Sequence, residues 1–387
     1  MYHKSIVSEV AFVKVAIFQH RLLHYRVNFF DRLKTECERR GVSLSLVHGQ
    51  PSRREIPKND VGELPWANVV VNRFWEFGER DVLWQPVPDS VKDSDLYVIM
   101  QESRILSNYP ILFSRLFSRK KVAYWGHGKN FQSDVPTGFR ERWKSFLLTR
   151  VDWWFAYTQM TVDILKNAGF AAGRISSLEN AIDTDEFKAD LASWSSEEVL
   201  SAKTNLGIEK DAPVGIFCGS LYPDKKLELL ISSADWIKEK LPTFSLIVIG
   251  NGPSMPFMKE CAATRPWIHL LGVKKGREKA LYFRAGDVIL NPGLVGLHIV
   301  DAFCSGLVMV TTRTARHSPE VAYLEDGVNG LMTEDSVESY GGAVLDLLSD
   351  KERLARMKAA ALADSNRYTV DNMVKRFADG IESALKV

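Results

Sequence analysis

The residues with the clearest capacity for chemistry lie between Asn291 and Thr312, NPGLVGLHIVDAFCSGLVMVTT. An apolar strand over Asp287 to Leu290 is expected to run into a turn carrying Gly293 and Gly296, then into a short amphipathic helix from about Gly296 to Ser305. Gly306 stands where a C′ glycine would end that helix, and Leu307 to Val310 reads as the next strand. Glycines at the start of a helix leave backbone N–H groups uncovered, and the helix dipole favours an anion there. Asp301 lies a little over one turn further in. Helical side chains lean toward the N-terminus, so its carboxylate can point back at whatever binds. Such a unit could hold a nucleoside diphosphate by its phosphates and its ribose. A second candidate is His127, in Trp125-Gly126-His127-Gly128 at the end of another expected strand. Its flanking glycines allow close approach, and its imidazole could donate to a sugar hydroxyl or accept from an acceptor.

These residues need elements to position them. Strands are expected at Val13 to Phe18, Val42 to Val47, Asn68 to Val71, Leu96 to Met100, Val122 to Trp125 and Trp154 to Tyr157, mostly with helical patterns between them. A second series runs through Val214 to Cys218, Phe244 to Ile249, Ile268 to Leu270, Val288 to Leu290 and Leu307 to Val310. Alternating strands and helices imply parallel sheets with helices on both faces, here as two doubly wound halves in tandem. At 387 residues the chain is also too long for one ordinary core. The expected division is 1–190 and 191–367, with Asp183 to Asp211 as a polar linker and a helix at about 368–387 packing back on the first half. In open α/β sheets ligands sit at the carboxyl ends of the strands, so the chemistry is expected in a cleft where two such domains face each other.

The chain is 45% hydrophobic and 25% charged with a formal net charge of +2, the composition of a soluble globular protein. Cys37, Cys218, Cys261 and Cys304 show no paired spacing for zinc or a redox motif and suit a reducing compartment. No apolar run reaches the roughly 18 residues of a membrane span, and no signal-peptide pattern begins the chain, so a cytoplasmic location is expected.

Four segments of the second half, GSLYPDKK at 219–226, GNGP at 250–253, the NPGLVGL turn and HSPE at 317–320, follow one another as the motifs of one family do. Taken in order they resemble the C-terminal half of GT-B fold glycosyltransferases of the large retaining family 4. That family shows a G-R-x-x-x-x-K-G loop, a G-x-G-P turn, two glutamates separated by seven residues, and P-E followed by D-G-x-N-G. Here these stand as Gly219 to Lys225, Gly250-Asn251-Gly252-Pro253, Gly293 to Asp301, and Pro319-Glu320 with Asp326 to Gly330. Asn180-Ala181-Ile182-Asp183 is similar to the N-G-V-D that precedes the family's interdomain linker. The resemblance covers about residues 175–335 by motif and the N-terminal half by fold pattern alone. It implies a GT-B architecture of two Rossmann-like domains and a nucleotide-diphosphate-sugar as donor substrate, with no other cofactor and no metal. Lys225 would contact the diphosphate, Gly296 and Leu297 would offer backbone N–H groups, and Asp301 would accept from the ribose and complete the catalytic set with His127. Gly219, Ser220, Gly250, Asn251, Gly252, Pro253, Gly293 and Val295 would line the donor site. There are departures: Ser220 replaces a phosphate-binding Arg, and Gly293 and Asp301 replace the two glutamates, which leaves the donor sugar open.

In the first half His20, Arg21 and Arg26 stand where many GT-B enzymes carry a glycine-rich loop; with His127 they are read as facing the acceptor. From Arg115 to Arg150 there are nine basic and two acidic residues, a local net of +7, interleaved with Phe131, Phe139, Trp143 and Phe146. Basic plus aromatic suits the anionic inner face of a membrane, and no nucleic-acid-binding motif accompanies it. The expected activity is transfer of a sugar, with retention, to a hydroxyl acceptor such as a glycan or lipid-linked glycan of a bacterial cell surface. A silent nucleotide-sugar-binding partner and a nucleotide-sugar epimerase on the same fold are the alternatives.

Overall fold

A computed structural model describes residues 12–53, 55, 60–78, 80–115, 117–128 and 147–387. The chain divides into two compact units. Of the described residues, those from Phe12 to Glu179 form the first together with Asp371–Val387, and Asn180–Val370 form the second.

The first unit contains β1 (Val13–Arg21), β2 (Val42–Gly49), β3 (Asn68–Val69), β4 (Arg73–Phe77), β5 (Arg80–Trp84), β6 (Leu96–Met100), β7 (Lys121–Gly126), β8 (Trp153–Ala156) and β9 (Ile175–Ser177). Seven of them form one parallel sheet in the order β3-β2-β1-β6-β7-β8-β9, while β4 and β5 pair as a separate antiparallel hairpin. The central strands are near-continuous apolar runs because both sheet faces are covered: Val15, Ala16, Ile17, Val98, Ile99, Val122 and Ala123 are all fully buried. The helix Val27–Arg39 lies on one such face through Phe29, Phe30 and Leu33. The C-terminal helix Val370–Lys386 brings Phe377 into a stack on Phe155, with ring centroids 4.1 Å apart, and edge-on to Trp125 at 5.1 Å. Gly380 permits that approach, since a Cβ there would stand 2.5 Å from the Phe155 ring.

The second unit holds β10 (Val214–Cys218), β11 (Ser245–Ile249), β12 (Ile268–Gly272), β13 (Val288–Leu290), β14 (Val308–Thr312) and β15 (Gly330–Thr333), all parallel in the order β12-β11-β10-β13-β14-β15. In both sheets the order turns back beside the first strand: β1 lies between β2 and β6, and β10 between β11 and β13. That reversal opens a crevice at the carboxyl ends, because the connections leave toward opposite faces. Residues 183–211, expected as a polar linker, are largely helical. They carry helices Asp185–Ser193 and Ser196–Asn205, the second started by a Ser195/Glu198 capping box. Few apolar anchors mark them in sequence: Phe187 and Leu191 are buried on the first helix and none on the second. The hairpin β4–β5, β9 and β15 are further elements the apolar pattern did not announce.

Candidate functional site

In the second unit three loops converge at the carboxyl ends of β10, β11 and β13. Gly219 donates its N–H to Ile249 O (2.9 Å), Leu221 N–H donates to Asn251 O (3.0 Å) and Ser254 N–H to Leu221 O (2.9 Å). The backbones run so close that a Cβ on Gly250 (φ 141°) would stand 1.9 Å from Gly219 O, and one on Gly252 2.4 Å from Leu221 O. The GxGP turn is therefore a steric requirement as well as a motif. The third loop closes in the same manner: Leu294 N–H donates to Asp224 O (2.8 Å), and a Cβ on Gly293 would meet Asp224 O at 2.2 Å and Lys225 Cα at 2.4 Å. Ser220, Asn251 and Pro253 are exposed at the rim, and Val295 is fully buried.

Lys225 ends a short 3-10 turn, Pro223–Lys225, and is buried. Its ammonium donates to the Leu294 carbonyl and has no carboxylate partner among the described residues. Burial disfavours the charged form and lowers its pKa to about 8. Lys226 follows in the left-handed region at φ 52°, a conformation that costs a side-chain-bearing residue stability; its ammonium is held by Asp335, Thr312 and Thr314.

The helix carrying Asp301 spans His298–Cys304, two residues shorter at its start than the sequence suggests. Two of the backbone N–H groups ahead of it are already occupied. Val295 N–H donates to His317 Nδ1 (3.1 Å), and Gly296 N–H donates to His298 Nδ1 (3.4 Å). His317 in turn donates from Nε2 to Thr312 O (2.7 Å). Burial, then the charges of Lys225, Lys279 and His317, pushes His298 well below the usual imidazole range, and burial also lowers His317. Asp301 is buried and its carboxylate lies 2.8 Å from Lys279 Nζ, whose ammonium also sits 4.4 Å from the Phe187 ring centroid. Lys279 and His298 were not picked out from the sequence, and His317 was marked only as the first residue of the HSPE segment. Lys279 and Asp301 are 22 positions apart on different helices, so no spacing rule links them.

Glu320 of the HSPE segment is buried and accepts from Asn180 Nδ2 at 2.6 Å, while Tyr323 Oη donates to Asn180 O at 2.9 Å. These bonds tie the first residue of the Asn180-Ala181-Ile182-Asp183 motif to the last strand-end turn. Among the described residues no group of three or more His, Cys, Asp or Glu side chains could hold a metal ion.

In the first unit His127 is exposed just past β7, its ring 4.3 Å from that of Tyr157. Arg26 is buried, with its guanidinium 5.3 to 5.9 Å from the ring centroids of Tyr25, Phe29, Trp125 and Tyr157. His20 and Arg21, at the end of β1, are buried in an ion-pair cluster: His20 Nε2 lies 3.0 Å from Glu55 Oε1, Arg21 reaches Glu55 and Asp60, and Arg104 bridges Asp81, Glu102 and Glu55. Burial alone would raise the Glu55 carboxyl. Hydrogen bonds from His20 and Ser52 and the nearby cations instead hold it well below the usual carboxylate range. Most of the basic stretch, Lys129 to Phe146, lies outside the described residues. At its edge Phe113 and Phe117 are exposed with rings 5.3 Å apart. No helix among the described residues is long and apolar enough to cross a membrane.

Two parallel sheets in tandem, each reversing beside its first strand and the second closing glycine loops around a buried lysine, define the GT-B class of fold. Residues 212–350, within the second unit, match the family model of the glycosyl transferases group 1. The chain is 28% identical to an alpha-monoglucosyldiacylglycerol synthase of Acholeplasma laidlawii over 153 residues, 38% of this chain and 38% of that protein. It is 29% identical to a D-inositol 3-phosphate glycosyltransferase of Stackebrandtia nassauensis over 203 residues, 47% of this chain and 45% of that protein. The matched stretches thus span less than half of either relative. Among solved structures HepE of Anabaena in complex with UDP superposes with a TM-score of 0.67 at 16% identity, covering 96% of this chain and 99% of that one.

Proposed function

We propose that this protein transfers a sugar from a nucleoside-diphosphate-sugar to a hydroxyl acceptor, with retention, in the synthesis of a glycolipid or cell-surface glycan. The observation that carries this reading is Lys225, a buried ammonium with no carboxylate partner among the described residues, at the strand-order reversal of the second sheet. A buried cation without a counter-ion costs stability, and a site that keeps one is arranged for an anion that arrives. In the reaction the bond between the sugar's anomeric carbon and the diphosphate oxygen breaks, and a bond from the same face to the acceptor oxygen forms. The acceptor's proton passes to the leaving diphosphate, so no protein nucleophile is needed. Lys225 stabilises charge growing on the leaving group, and Asp301 with Lys279 orients the ribose. His127, in the first unit, acts on the transferring sugar or the acceptor.

The relatives support the acceptor class: one is named for a glucosyldiacylglycerol product, the other for an inositol phosphate acceptor. A thermal-shift screen of UDP, GDP, ADP and dTDP sugars tests donor use, since a ligand at 100 times its Kd adds about 2.7 kcal/mol. Product analysis by NMR, with and without a diacylglycerol or glycolipid acceptor, then separates transfer from epimerisation and from silent binding. An inverted anomeric centre would overturn retention.

The exposed Phe113–Phe117 pair beside Arg119 and the +7 stretch favour docking of the first unit on an anionic membrane. Co-sedimentation with anionic vesicles should be lost at high salt and on replacing Lys120, Lys121, Arg142 and Lys144 by Gln. Equal binding to neutral vesicles would sink this reading.

A further inference from the structure

The two histidines that accept the loop's backbone N–H groups differ in one respect. His317 uses both ring nitrogens: Nε2 donates to Thr312 O at 2.7 Å and Nδ1 accepts from Val295 N–H at 3.1 Å. His298 uses only one. Its Nδ1 accepts from Gly296 N–H, and a ring nitrogen that accepts carries no proton, so in the neutral imidazole the proton sits on Nε2. That Nε2 atom is buried and has no hydrogen-bond partner among the described residues. A buried donor left without an acceptor destabilises a fold, so its persistence calls for an acceptor from outside the chain.

The surroundings define that acceptor. Lys225 and Lys279 both act on His298 through their charge, which together with burial keeps the ring neutral and its Nε2–H in place. Asp301, the nearby carboxylate, is engaged by Lys279. Asn291 Oδ1 is a buried acceptor without a partner among the described residues, and two donors remain open to a ligand: the Lys225 ammonium, which has the Leu294 carbonyl and the Tyr222 ring but no carboxylate among the described residues, and the His298 N–H. Both are met by an oxygen-rich anion. With the backbone N–H groups of Val295 and Gly296 already taken, side chains can share in the holding here.

We propose that His298 donates its Nε2–H directly to a diphosphate oxygen of the bound nucleotide sugar, beside Lys225; this inference rests on the donor site assigned above. His298 is thus a binding residue with two functions, bracing the Gly296 N–H from one nitrogen and holding phosphate from the other.

Two substitutions separate the nitrogens. His298→Asn keeps an acceptor where Nδ1 stands and removes the distal donor, whereas His298→Gln places an amide N–H near Nε2 and gives up the proximal acceptor. Each variant and the wild type are titrated calorimetrically with whichever of UDP, GDP, ADP and dTDP binds the wild type most tightly, after thermal melting has shown that the variant folds. His298→Asn should lose about tenfold or more in affinity, as for a lost hydrogen bond to a charged acceptor, and His298→Gln no more than about threefold. The reverse order, or equal affinity in all three, overturns the proposal. In wild-type protein the Nε2–H proton resonance of His298 should also move downfield on adding that nucleotide, and an unmoved resonance argues against it whatever the variants do. If the wild type binds none of the four nucleotides, the donor-site reading itself fails and takes this inference with it.

Discussion

Replacing Lys225 by Met should make the ligand-free protein more stable and the nucleotide complex weaker, and the opposite signs follow from one cause. Burial moves the lysine from 10.5 to about 8, and at about 1.4 kcal/mol per pKa unit the folded state carries about 3 kcal/mol of penalty for holding it charged at neutral pH. Met keeps the apolar stem and removes the charge, at the loss of one hydrogen bond to Leu294 O worth about 1 kcal/mol. The net gain expected at pH 7 is about 2 kcal/mol, read as a higher urea midpoint. Its pH dependence has a definite sign. The folded pKa lies below the unfolded one, so the penalty is fully present below about pH 8 and disappears as pH rises toward 10.5. Wild-type stability should therefore gain a contribution over that window that Lys225→Met lacks. Nucleotide binding runs the other way. The variant loses a charge-assisted hydrogen bond, about 1.5 to 3 kcal/mol or roughly ten- to a hundredfold in Kd. In the wild type, affinity should fall by up to about tenfold per pH unit above 8, as Lys225 must take up a proton to bind. Calorimetric titration with a nucleoside diphosphate, set beside urea unfolding at pH 7 and pH 9.5, measures both. Unchanged nucleotide affinity in Lys225→Met, or a lower urea midpoint at pH 7, would refute the argument.

Three further outcomes follow from the same site. Gly293→Glu, which restores the carboxylate of the resembling family, places a Cβ against the Asp224 and Lys225 backbone and should cost about 1 to 3 kcal/mol in urea unfolding without improving donor affinity; a variant as stable as the parent would show that the loop opens freely. Asp301→Ala should weaken nucleoside diphosphate binding and leave Lys279 without its carboxylate, so Lys279→Ala should cost less in the Asp301→Ala background than in the parent. Strictly additive losses would mean the two do not act as a unit. His127→Ala should lower kcat more than donor affinity, because His127 stands in the first unit and the proposed nucleotide site lies in the second; loss of thermal stability in step with activity would instead make it structural.

Much of the second unit was legible in the chain itself. Strands such as Val214–Cys218 and Val288–Leu290 lie where the apolar runs put them, since a parallel strand covered on both faces has to be apolar along its length. The polar helices of 185–205 were not legible, because they bury too few side chains to leave a period. Nor was the seating of His20 and Arg21: basic residues at a strand end look ready for a ligand until Glu55, Asp60 and Arg104 are brought against them from loops 34 to 84 residues away.

At the donor site the division is sharper. The glycines at 250, 252 and 293 were legible by residue type, although the close approach that admits only a residue without a Cβ comes from the backbone at 219, 221 and 224–225, which the fold brings against them. Asp301 and Lys225 were marked by their place in the motifs. Which groups engage them was decided only by the tertiary structure: Lys279 for Asp301, the Leu294 carbonyl for Lys225, and two imidazoles for the N–H groups of Val295 and Gly296. The physical reason is that ion pairs and burial act through space. A lysine on one helix and an aspartate on the next share no periodicity, and a pKa is set by what packs around the group once the loops have closed.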